Sequence, residues 1–448
     1  MRSKTFSYIS LYSGPKDGLG LALLRGIGVA MKKSKTRASA ERKRGISMPK
    51  IIFIACLSLS MTIFVGACCK DNRNESYRYY DQKPEIPIAT EPYTDELNRP
   101  EATDTKGAIG TITDPALKEI LSSSTQLPGI ALAVIKGGKT ILRYNQGFGN
   151  VTKQEKITMN SAFRIASVSK QFTATAAAIA IDDGLLNLND PVSEHLTGLP
   201  SWADAVTIEQ LIHHSSGLPD YGFLCSTTAG DKVEQSDVLA WLQTVDENSF
   251  LFPSGTAGAY SNTGYVLLAS VVEAATGMPF ASYVKAKIFD PLEMKQSWYF
   301  SETAAIKNRV IGYSSADGTV DDFNTCNNLY GDGGIYTTIS DYEKWATALT
   351  HKPDFLANLK PSLFEPGSLN NGQPTLIGDR PYGYGWFLSS GAYDSRYHYG
   401  SWVGFRTYAE YVVDEDTWLI AFVNSSSPSF DFEGTTAALF KGYTPYEF

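Results

Sequence analysis

The chain has 448 residues, of which 43% are hydrophobic, 12% aromatic and 19% charged. This composition excludes a mainly disordered protein, a collagen-like fibre and a small disulfide-stapled fold. The net charge of −8 is unevenly distributed, because residues 1–70 hold 13 basic and 2 acidic side chains while residues 71–448 hold 26 and 45. So acidic a body excludes nucleic acid as an expected partner, since phosphate binding needs clustered positive charge.

The N-terminal region predicts an export signal. An uncharged run of 17 residues, 51–67, follows a basic segment, as in a secretory signal peptide. The run ends in Val65-Gly66-Ala67-Cys68, which resembles the bacterial lipobox and makes Cys68 the expected lipidation site. An uncleaved membrane anchor is the alternative, because the run approaches the length of a span. Residues 1–67 are thus interpreted as a leader that places the body in the cell envelope, with either Met31 or Met48 as an alternative start.

Residues 68–110 are predicted to form a flexible linker. Polar residues without hydrophobic periodicity surround four prolines there, Pro84, Pro87, Pro92 and Pro100. Such a segment cannot bury a core of its own. It would join a lipid anchor at Cys68 to a single domain at residues 111–448.

The cysteines indicate no disulfide framework. Cys56 lies in the leader, and the remaining cysteines show no metal-type spacing. A Cys225–Cys326 bridge is permitted outside the cytosol. Buried free thiols are common, however, and the expectation is that these two cysteines stay unpaired.

The body is predicted to contain strands at both ends and helices between them. Asp114-Pro115 begins a predicted helix that extends to Ser123. Gly137-Gly138 separates two apolar runs, 130–135 and 140–144, as in a β-hairpin. Helical periodicity or a helix start follows at 171–181, 207–213, 262–275 and in a capping box at Ser340. Strand-like segments return at 382–388, 396–402, 406–413 and 417–424.

These elements predict an α/β fold of the α+β type. Adjacent hairpins at the two ends of the body favour an antiparallel sheet built from both chain ends. The helices would flank this sheet and form an inserted, mainly helical subdomain.

Ser167-Val168-Ser169-Lys170 has the S-x-x-K spacing, which predicts a serine nucleophile beside an amine. Residues three apart on a helix share a face, and a serine near a helix N-terminus and a base can be activated. The same spacing begins at Ser13, Ser47 and Ser282. Taken alone, Ser167 is therefore better interpreted as a helix N-cap.

Other segments give this motif its meaning. Tyr260-Ser261-Asn262 lies 93 residues after Ser167, and His398-Tyr399-Gly400 lies 138 residues further on. Six ordered segments surround these motifs: FRIASVSKQFTA, GLLNLNDPV, LIHHSSGLPDY, FPSGTAGAYSNTGY, GDGGIYTT and HYGSWVGFRT. From about residue 111 to the C-terminus, this order resembles the serine β-lactamase and penicillin-binding-protein superfamily. The closer resemblance is to its class C-like branch, with D,D-carboxypeptidases, esterases and D-aminopeptidases.

The resemblance implies a role for each motif residue. Ser167 would form an acyl-enzyme, with Lys170 and Tyr260 as a coupled pair that moves protons. The backbone N–H groups of Ser167 and Ser401 would form the oxyanion hole. Asn262 would bind a substrate amide or hold Lys170.

The third motif departs from the usual pattern of the branch. His398 stands where Lys is frequent, and its charge would depend on pH. Tyr399 replaces a short hydroxyl residue, which disfavours a dedicated β-lactamase or D,D-carboxypeptidase and favours esterase or peptidase activity. Arg406 could bind a substrate carboxylate in its place or be a surface charge. Gly400 would keep the strand open to substrate.

Each of these residues also has a structural interpretation. Tyr260 could be a core tyrosine, Asn262 a helix N-cap and His398 a buried histidine with satisfied hydrogen bonds. His213-His214 is not expected to bind metal, because adjacent helical side chains diverge and no acidic or Cys partner has suitable spacing.

The resemblance implies a serine hydrolase acting on an ester, amide, β-lactam or D-amino-acid peptide. The alternative is a catalytically silent lipoprotein that binds cell-wall peptides. We expect no cofactor, no metal, a small-molecule or short-peptide substrate, a membrane contact through Cys68, and a monomer.

Overall fold

The computed structural model describes most of the body. It covers residues 129–427 except 227–229, 231, 301–305, 316–317 and 391–392, together with residues 432, 436 and 440. The leader, Cys68, the linker and the helix predicted at 114–123 lie outside the described residues. Within the described ranges no single helix is long and apolar enough to cross a membrane, although the bent pair Asn262–Thr276 and Phe280–Phe289 meets the length and composition test.

The main sheet has seven antiparallel strands: β1 Gly129–Lys136, β2 Lys139–Asn150, β3 Glu155–Lys156, β9 Phe387–Ser390, β10 Asp394–Trp402, β11 Phe405–Val412 and β12 Thr417–Val423. Their order across the sheet is β3-β2-β1-β12-β11-β10-β9. Shorter strands form two small sheets: β4 Phe163–Arg164, β5 Trp298–Tyr299, β6 Ile335–Thr337, β7 Leu376–Ile377 and β8 Arg380–Pro381. Strand β1 pairs with both β2 and β12. The predicted hairpin, and the sheet built from both ends of the body, are therefore confirmed.

Helices occupy most of the chain between the two sets of sheet strands. The α-helices are α1 Lys170–Asp182, α2 Val192–His195, α3 Ile208–Ile212, α4 Gln235–Leu242, α5 Asn262–Thr276, α6 Phe280–Val284, α7 Ile339–His351 and α8 Lys360–Leu363. Short 3₁₀-helices lie at Ala166–Ser169, Ser201–Asp204, Tyr221–Leu224 and Glu247–Ser249, and a π-helical turn at Lys285–Phe289. The mainly helical insertion is thus confirmed.

The predicted start of α7 is wrong by two residues. Thr338 is the N-cap, and its hydroxyl accepts a hydrogen bond from the backbone N–H of Asp341 at 3.1 Å. Ser340 lies inside the helix. Both positions hold hydroxyl residues that can cap a helix, so the sequence pattern could not distinguish them.

The strand predicted at 382–388 is also largely wrong, because β9 begins only at Phe387. Gly385 has φ +80°, and a Cβ on it would lie 2.5 Å from the backbone nitrogen of Gln171. The segment therefore bends closely past the beginning of α1, where only glycine fits. This contact places the approach to β9 directly beside the S-x-x-K motif.

Helix α1 is fixed by an aromatic cluster. The ring of Phe172 stacks on Trp345 of α7 with centroids 4.5 Å apart and meets Phe289 edge-on at 5.7 Å. Tyr342, also in α7, contacts Phe422 of β12. Aromatic pairs of this kind stabilise beyond the area they bury. The helix that begins at Lys170 is thereby held against both the sheet and the helical insertion.

Cys225 and Cys326 form a disulfide, so the expectation of unpaired thiols is wrong. Their Cα atoms lie 5.4 Å apart although 101 residues separate them in sequence. Ser226 and Thr325 exchange hydrogen bonds beside the bridge, with two N···O distances of 2.8 Å. This pairing of two distant loops brings the sulfur atoms together, and no local sequence pattern indicates it.

Candidate active site

The S-x-x-K serine lies in a short 3₁₀-helix that leads into α1. Ser167 belongs to the 3₁₀ segment Ala166–Ser169, and Lys170 is the first residue of the α-helix. In a 3₁₀-helix, side chains at i and i+3 eclipse one another. Lys170 Nζ consequently donates a hydrogen bond to Ser167 Oγ at 3.2 Å. Ser169, rather than Ser167, takes the N-cap position, so the structural interpretation of Ser167 as an N-cap is wrong.

Lys170 is completely buried and donates to three oxygen acceptors. Besides Ser167 Oγ, its Nζ donates to Asn262 Oδ1 at 2.9 Å and to the carbonyl oxygen of Asp332 at 2.8 Å. Burial lowers the pKa of Lys170 to about 8, against opposing attraction from Asp332 and Asp220. A substantial minority of an amine with this pKa is neutral near pH 7, whereas an ordinary lysine is almost fully protonated there.

Tyr260 is next to this amine. Lys170 Nζ lies 4.8 Å from the centroid of the Tyr260 ring. The phenol oxygen is buried, and none of the described residues forms a hydrogen bond of full geometry with it. Burial raises the pKa of Tyr260 well above 10, and the nearby Ser167 side chain partly opposes this rise. Tyr260 is therefore a neutral phenol beside the serine, available to donate its proton.

Asn262 supplies one of the lysine acceptors from the beginning of α5. The N-cap of that helix is Ser261, whose hydroxyl accepts from the N–H of Gly264 at 3.0 Å. Asn262 is thus not the N-cap, and its side chain is used to hold Lys170. Of the two functional roles expected for Asn262, the structure displays this contact with lysine.

The C-terminal half of β10 forms the side of the site opposite the helix. Strand β9 pairs only with Asp394–Tyr397, so the corresponding edge of β10 from His398 to Trp402 has no strand partner in the described part of the chain. Ser401 is exposed in this open segment. An unpaired strand edge presents backbone groups to a ligand, which is the arrangement that an oxyanion site requires.

His398 is buried and has both ring nitrogens engaged. Nδ1 lies 2.6 Å from the carbonyl oxygen of Tyr399, which can only accept, so Nδ1 carries the proton. Nε2 therefore accepts from the hydroxyl of Tyr382 at 3.0 Å. Burial and the charge of Lys170 lower the pKa of His398 to about 3. His398 is consequently a neutral residue with satisfied hydrogen bonds, not a pH-dependent cation.

The structure explains the glycine at position 400 differently from the sequence. A Cβ there would collide with the carbonyl oxygen of Ile165 and the hydroxyl of Thr407. Ile165 directly precedes the 3₁₀-helix that contains Ser167. Glycine thus allows β10 to pack on the backbone that leads to the serine, whereas substrate access was the reason expected.

Tyr399 and Arg406 lie near the same strand end. The Tyr399 ring is 40% exposed and lies 4.7 Å from that of Tyr408. Arg406 is half-buried, and its Nη1 donates to Ser401 Oγ. The guanidinium is therefore held at the open end of β10 by its contact with Ser401.

Sequence reasoning missed several residues that support the site. Asp332 offers its backbone carbonyl to Lys170, while its carboxylate accepts from Tyr221 at 2.6 Å. Asp220 accepts from the N–H of Asn262 at 3.2 Å. Both aspartates lie in segments that carry the family resemblance, LIHHSSGLPDY and GDGGIYTT, but the resemblance gives neither of them a role. A backbone carbonyl acceptor leaves no signal in residue type, so only the tertiary contact identifies it.

His213 and His214 differ in their contacts. Nδ1 of His213 lies 3.0 Å from the carbonyl oxygen of Tyr382, whereas Nδ1 of His214 accepts from Ser261. In the described ranges, one group of metal-type side chains has its ligand atoms within 4.8 Å of one another, Asp190, Glu194 and His195. It includes none of the residues around Ser167.

The family assignment follows from comparison with known proteins. The Beta-lactamase family model matches residues 109–443, and the chain therefore belongs to this family. It is 31% identical over 326 residues to penicillin-binding protein 4* of Bacillus subtilis (strain 168), covering 69% of this chain and 70% of that protein. It is 28% identical over 312 residues to D-aminopeptidase of Gluconobacter oxydans (strain 621H), covering 67% of this chain but only 56% of that protein.

Solved structures give the same fold. A penicillin-binding protein from Bacillus halodurans superposes with a TM-score of 0.61 at 26% identity, over 74% of this chain and 100% of that one. The D-amino acid amidase of Ochrobactrum anthropi SV3 gives 0.60 at 24% identity, over 73% and 98%. The expected superfamily, its class C-like branch and the fold are confirmed, and the chain is a serine hydrolase of the β-lactamase and penicillin-binding-protein type.

Proposed function

We propose that the protein cleaves an ester or amide bond, including that of a β-lactam or a D-amino-acid peptide, through an acyl-enzyme on Ser167. The observation that carries this proposal is the buried Lys170 ammonium, which contacts Ser167 Oγ and has a pKa lowered to about 8. Neutral Lys170 would accept the serine proton while Oγ attacks the carbonyl carbon. Two N–H groups, of Ser167 and Ser401, would stabilise the resulting oxyanion.

The two members of the proton-transfer pair have different roles in this proposal. Tyr260 is a poor base, because burial raises the pKa of its phenol well above 10. It would give its proton to the leaving group as the scissile bond breaks, and the Lys170 ammonium would restore that proton. Water would then release the acyl group, and the pair would act in the reverse direction.

The substrate class proposed is a D-aminoacyl amide, ester or short peptide. Similarity to a D-aminopeptidase and to a D-amino acid amidase supports this class. Arg406, held against Ser401 Oγ, supports binding of a substrate carboxylate such as that of a D-Ala-D-Ala peptide. Turnover of D-aminoacyl amides, D-Ala-D-Ala peptides, p-nitrophenyl esters and nitrocefin would distinguish these substrates.

We also propose that the protein acts in the cell envelope as a lipid-anchored monomer. The Cys225–Cys326 disulfide supports an oxidising compartment, and the lipobox-like segment supports an anchor at Cys68. Radiolabelled palmitate incorporated by the parent and lost in Cys68→Ala would test the anchor. Measuring the molecular mass of the body in solution without detergent would test whether it is a monomer.

Covalent labelling tests the proposed function directly. A fluorescent penicillin or a fluorophosphonate should label the parent on Ser167, and peptide mapping should locate the adduct there. Ser167→Ala should lose labelling and turnover while its melting temperature stays within a few degrees. Ser282→Ala is a matched control, because Ser282 is exposed and has the same sequence spacing to Lys285. Correctly folded parent protein that remains unlabelled, or is labelled elsewhere, would contradict the proposal.

A further inference from the structure

His214 contacts the chain on both sides of Tyr260. It follows α3 in a loop, and its carbonyl oxygen accepts from the N–H of Ala259 at 3.0 Å. Its side-chain Nδ1 accepts from the N–H of Ser261 at 3.1 Å. The two residues that flank Tyr260 are therefore both hydrogen-bonded to His214.

The aromatic ring of His214 also contacts Tyr260 directly. The two ring centroids are 4.5 Å apart, and the Tyr382 ring lies at the same distance from His214. On the tyrosine side, Lys170 Nζ lies 4.8 Å from the ring centroid. His214 thus restricts the movement of both the backbone and the ring of Tyr260, the proposed proton donor.

The histidine occupies this position at an energetic cost. Because Nδ1 accepts a hydrogen bond, the proton of the neutral ring is on Nε2. That nitrogen is buried without a hydrogen-bond partner among the described residues, an arrangement that destabilises the folded state. The backbone of His214 also has φ +60°, a left-handed conformation that is uncommon for residues other than glycine, although asparagine, aspartate and histidine adopt it more often than the rest.

A side chain that only filled space would avoid the first of these costs. Leucine could fill the apolar volume without burying an unpaired N–H group, but it could not accept from Ser261. Strained backbone and unsatisfied polar groups that persist together are typical of functional sites. The feature that histidine adds here is a rigid ring with an acceptor beside Tyr260.

We propose that His214 is a positioning residue that fixes the Tyr260 phenol next to Ser167. This inference rests on the proposed function, because it concerns the proton donor of that reaction. His214 itself would not contact the substrate, and its whole contribution to catalysis would act through Tyr260.

A double-mutant cycle tests this role, using the rate constant for acylation of Ser167 by a fluorescent penicillin. His214→Leu should lower the rate about 30-fold, whereas His214→Asn should restore it to within about threefold of the parent. Asparagine keeps an acceptor near the position of Nδ1 and tolerates positive φ. In a Tyr260→Phe background, His214→Leu should cause less than about a twofold further loss.

The control separates positioning from general damage. His213→Leu removes a neighbouring buried histidine that bonds to Tyr382, and any effect should be the same with and without Tyr260. An equal loss for His214→Leu in both backgrounds, or failure of His214→Asn to restore the rate in a folded protein, would overturn the inference. Failure of the proposed function itself would give a different result, because the parent would then not be acylated or Tyr260→Phe would have no effect.

Discussion

Lys170 and His398 are two buried basic residues on opposite sides of the site, and their surroundings differ. On the helix side, Lys170 donates to three oxygen atoms, and the pKa of its amine is lowered to about 8. On the strand side, His398 is bonded to a carbonyl oxygen and a tyrosine hydroxyl, and its pKa is lowered to about 3. Burial favours the neutral form of both. Only the pKa of the lysine, however, is close enough to neutral pH for the group to gain and lose a proton during a reaction.

This difference indicates how the work is divided between the two sides. The helix side holds the nucleophile and the groups that exchange protons. The strand side supplies a neutral histidine, several aromatic rings and an open backbone edge. A histidine in the third motif is therefore compatible with catalysis without serving as a cationic replacement for lysine.

Removing the lysine should have the largest effect. Lys170→Met keeps a buried side chain of similar length but eliminates the base, so kcat/KM should fall at least about 1,000-fold. Stopped-flow measurement of acylation checks this value. Lys287→Met is the matched control, because Lys287 forms an exposed ion pair with Asp183; its kcat/KM should match that of the parent. Substantial acylation of correctly folded Lys170→Met would contradict the proposal that Lys170 is the base.

The pH dependence should be the next largest effect. Burial disfavours the ammonium and lowers the pKa of Lys170, so the active neutral form is gained as pH rises and lost as pH falls through about 8. Between pH 6 and pH 8, kcat/KM should increase about 50-fold and then level off.

A pH profile of the His398→Gln variant sharpens the same point. His398 is already neutral over this range, so the midpoint near pH 8 should be unchanged. A midpoint near pH 6 in the parent that disappears in the variant would instead assign the titrating group to the strand side.

Changing the strand histidine should have the smallest effect. His398→Gln keeps an acceptor for Tyr382, whereas His398→Leu leaves that buried hydroxyl unpaired at a cost of about 1–3 kcal/mol. We expect kcat/KM to fall about 10-fold in both variants, because His398 supports the site without exchanging a proton. In thermal unfolding, the melting temperature should be highest for the parent, lower for His398→Gln and lowest for His398→Leu. A loss as large as that of Lys170→Met would contradict the comparison.

Much of the fold and the centre of the site could be predicted from sequence. The hairpin around Gly137-Gly138 and the helix at Lys170 depend on local conformational preferences, which neighbouring residues express directly. Ser167 and Lys170 are three residues apart, so local geometry alone brings their side chains together. The order of the distant motifs then identified Tyr260 and Asn262 through the family resemblance.

The supporting contacts could not be predicted in this way. The carbonyl of Asp332 reaches Lys170 across 162 residues of sequence, and Cys225 meets Cys326 across 101. Neither contact depends on a local pattern. The wrong N-cap at Ser340 has a different cause, because two nearby hydroxyl residues can both cap a helix, and the structure has Thr338 in that position.

By itself the sequence determined the alternation of strands and helices, the nucleophile with its amine, and the family. Tertiary structure decided the protonation state of each basic group, the disulfide and the residues behind Tyr260. The physical reason is that periodicity and spacing act over a few residues. Burial, hydrogen-bond partners and electrostatic interactions depend on which distant segments are packed together, and these set the pKa of Lys170 and the tautomers of His214 and His398.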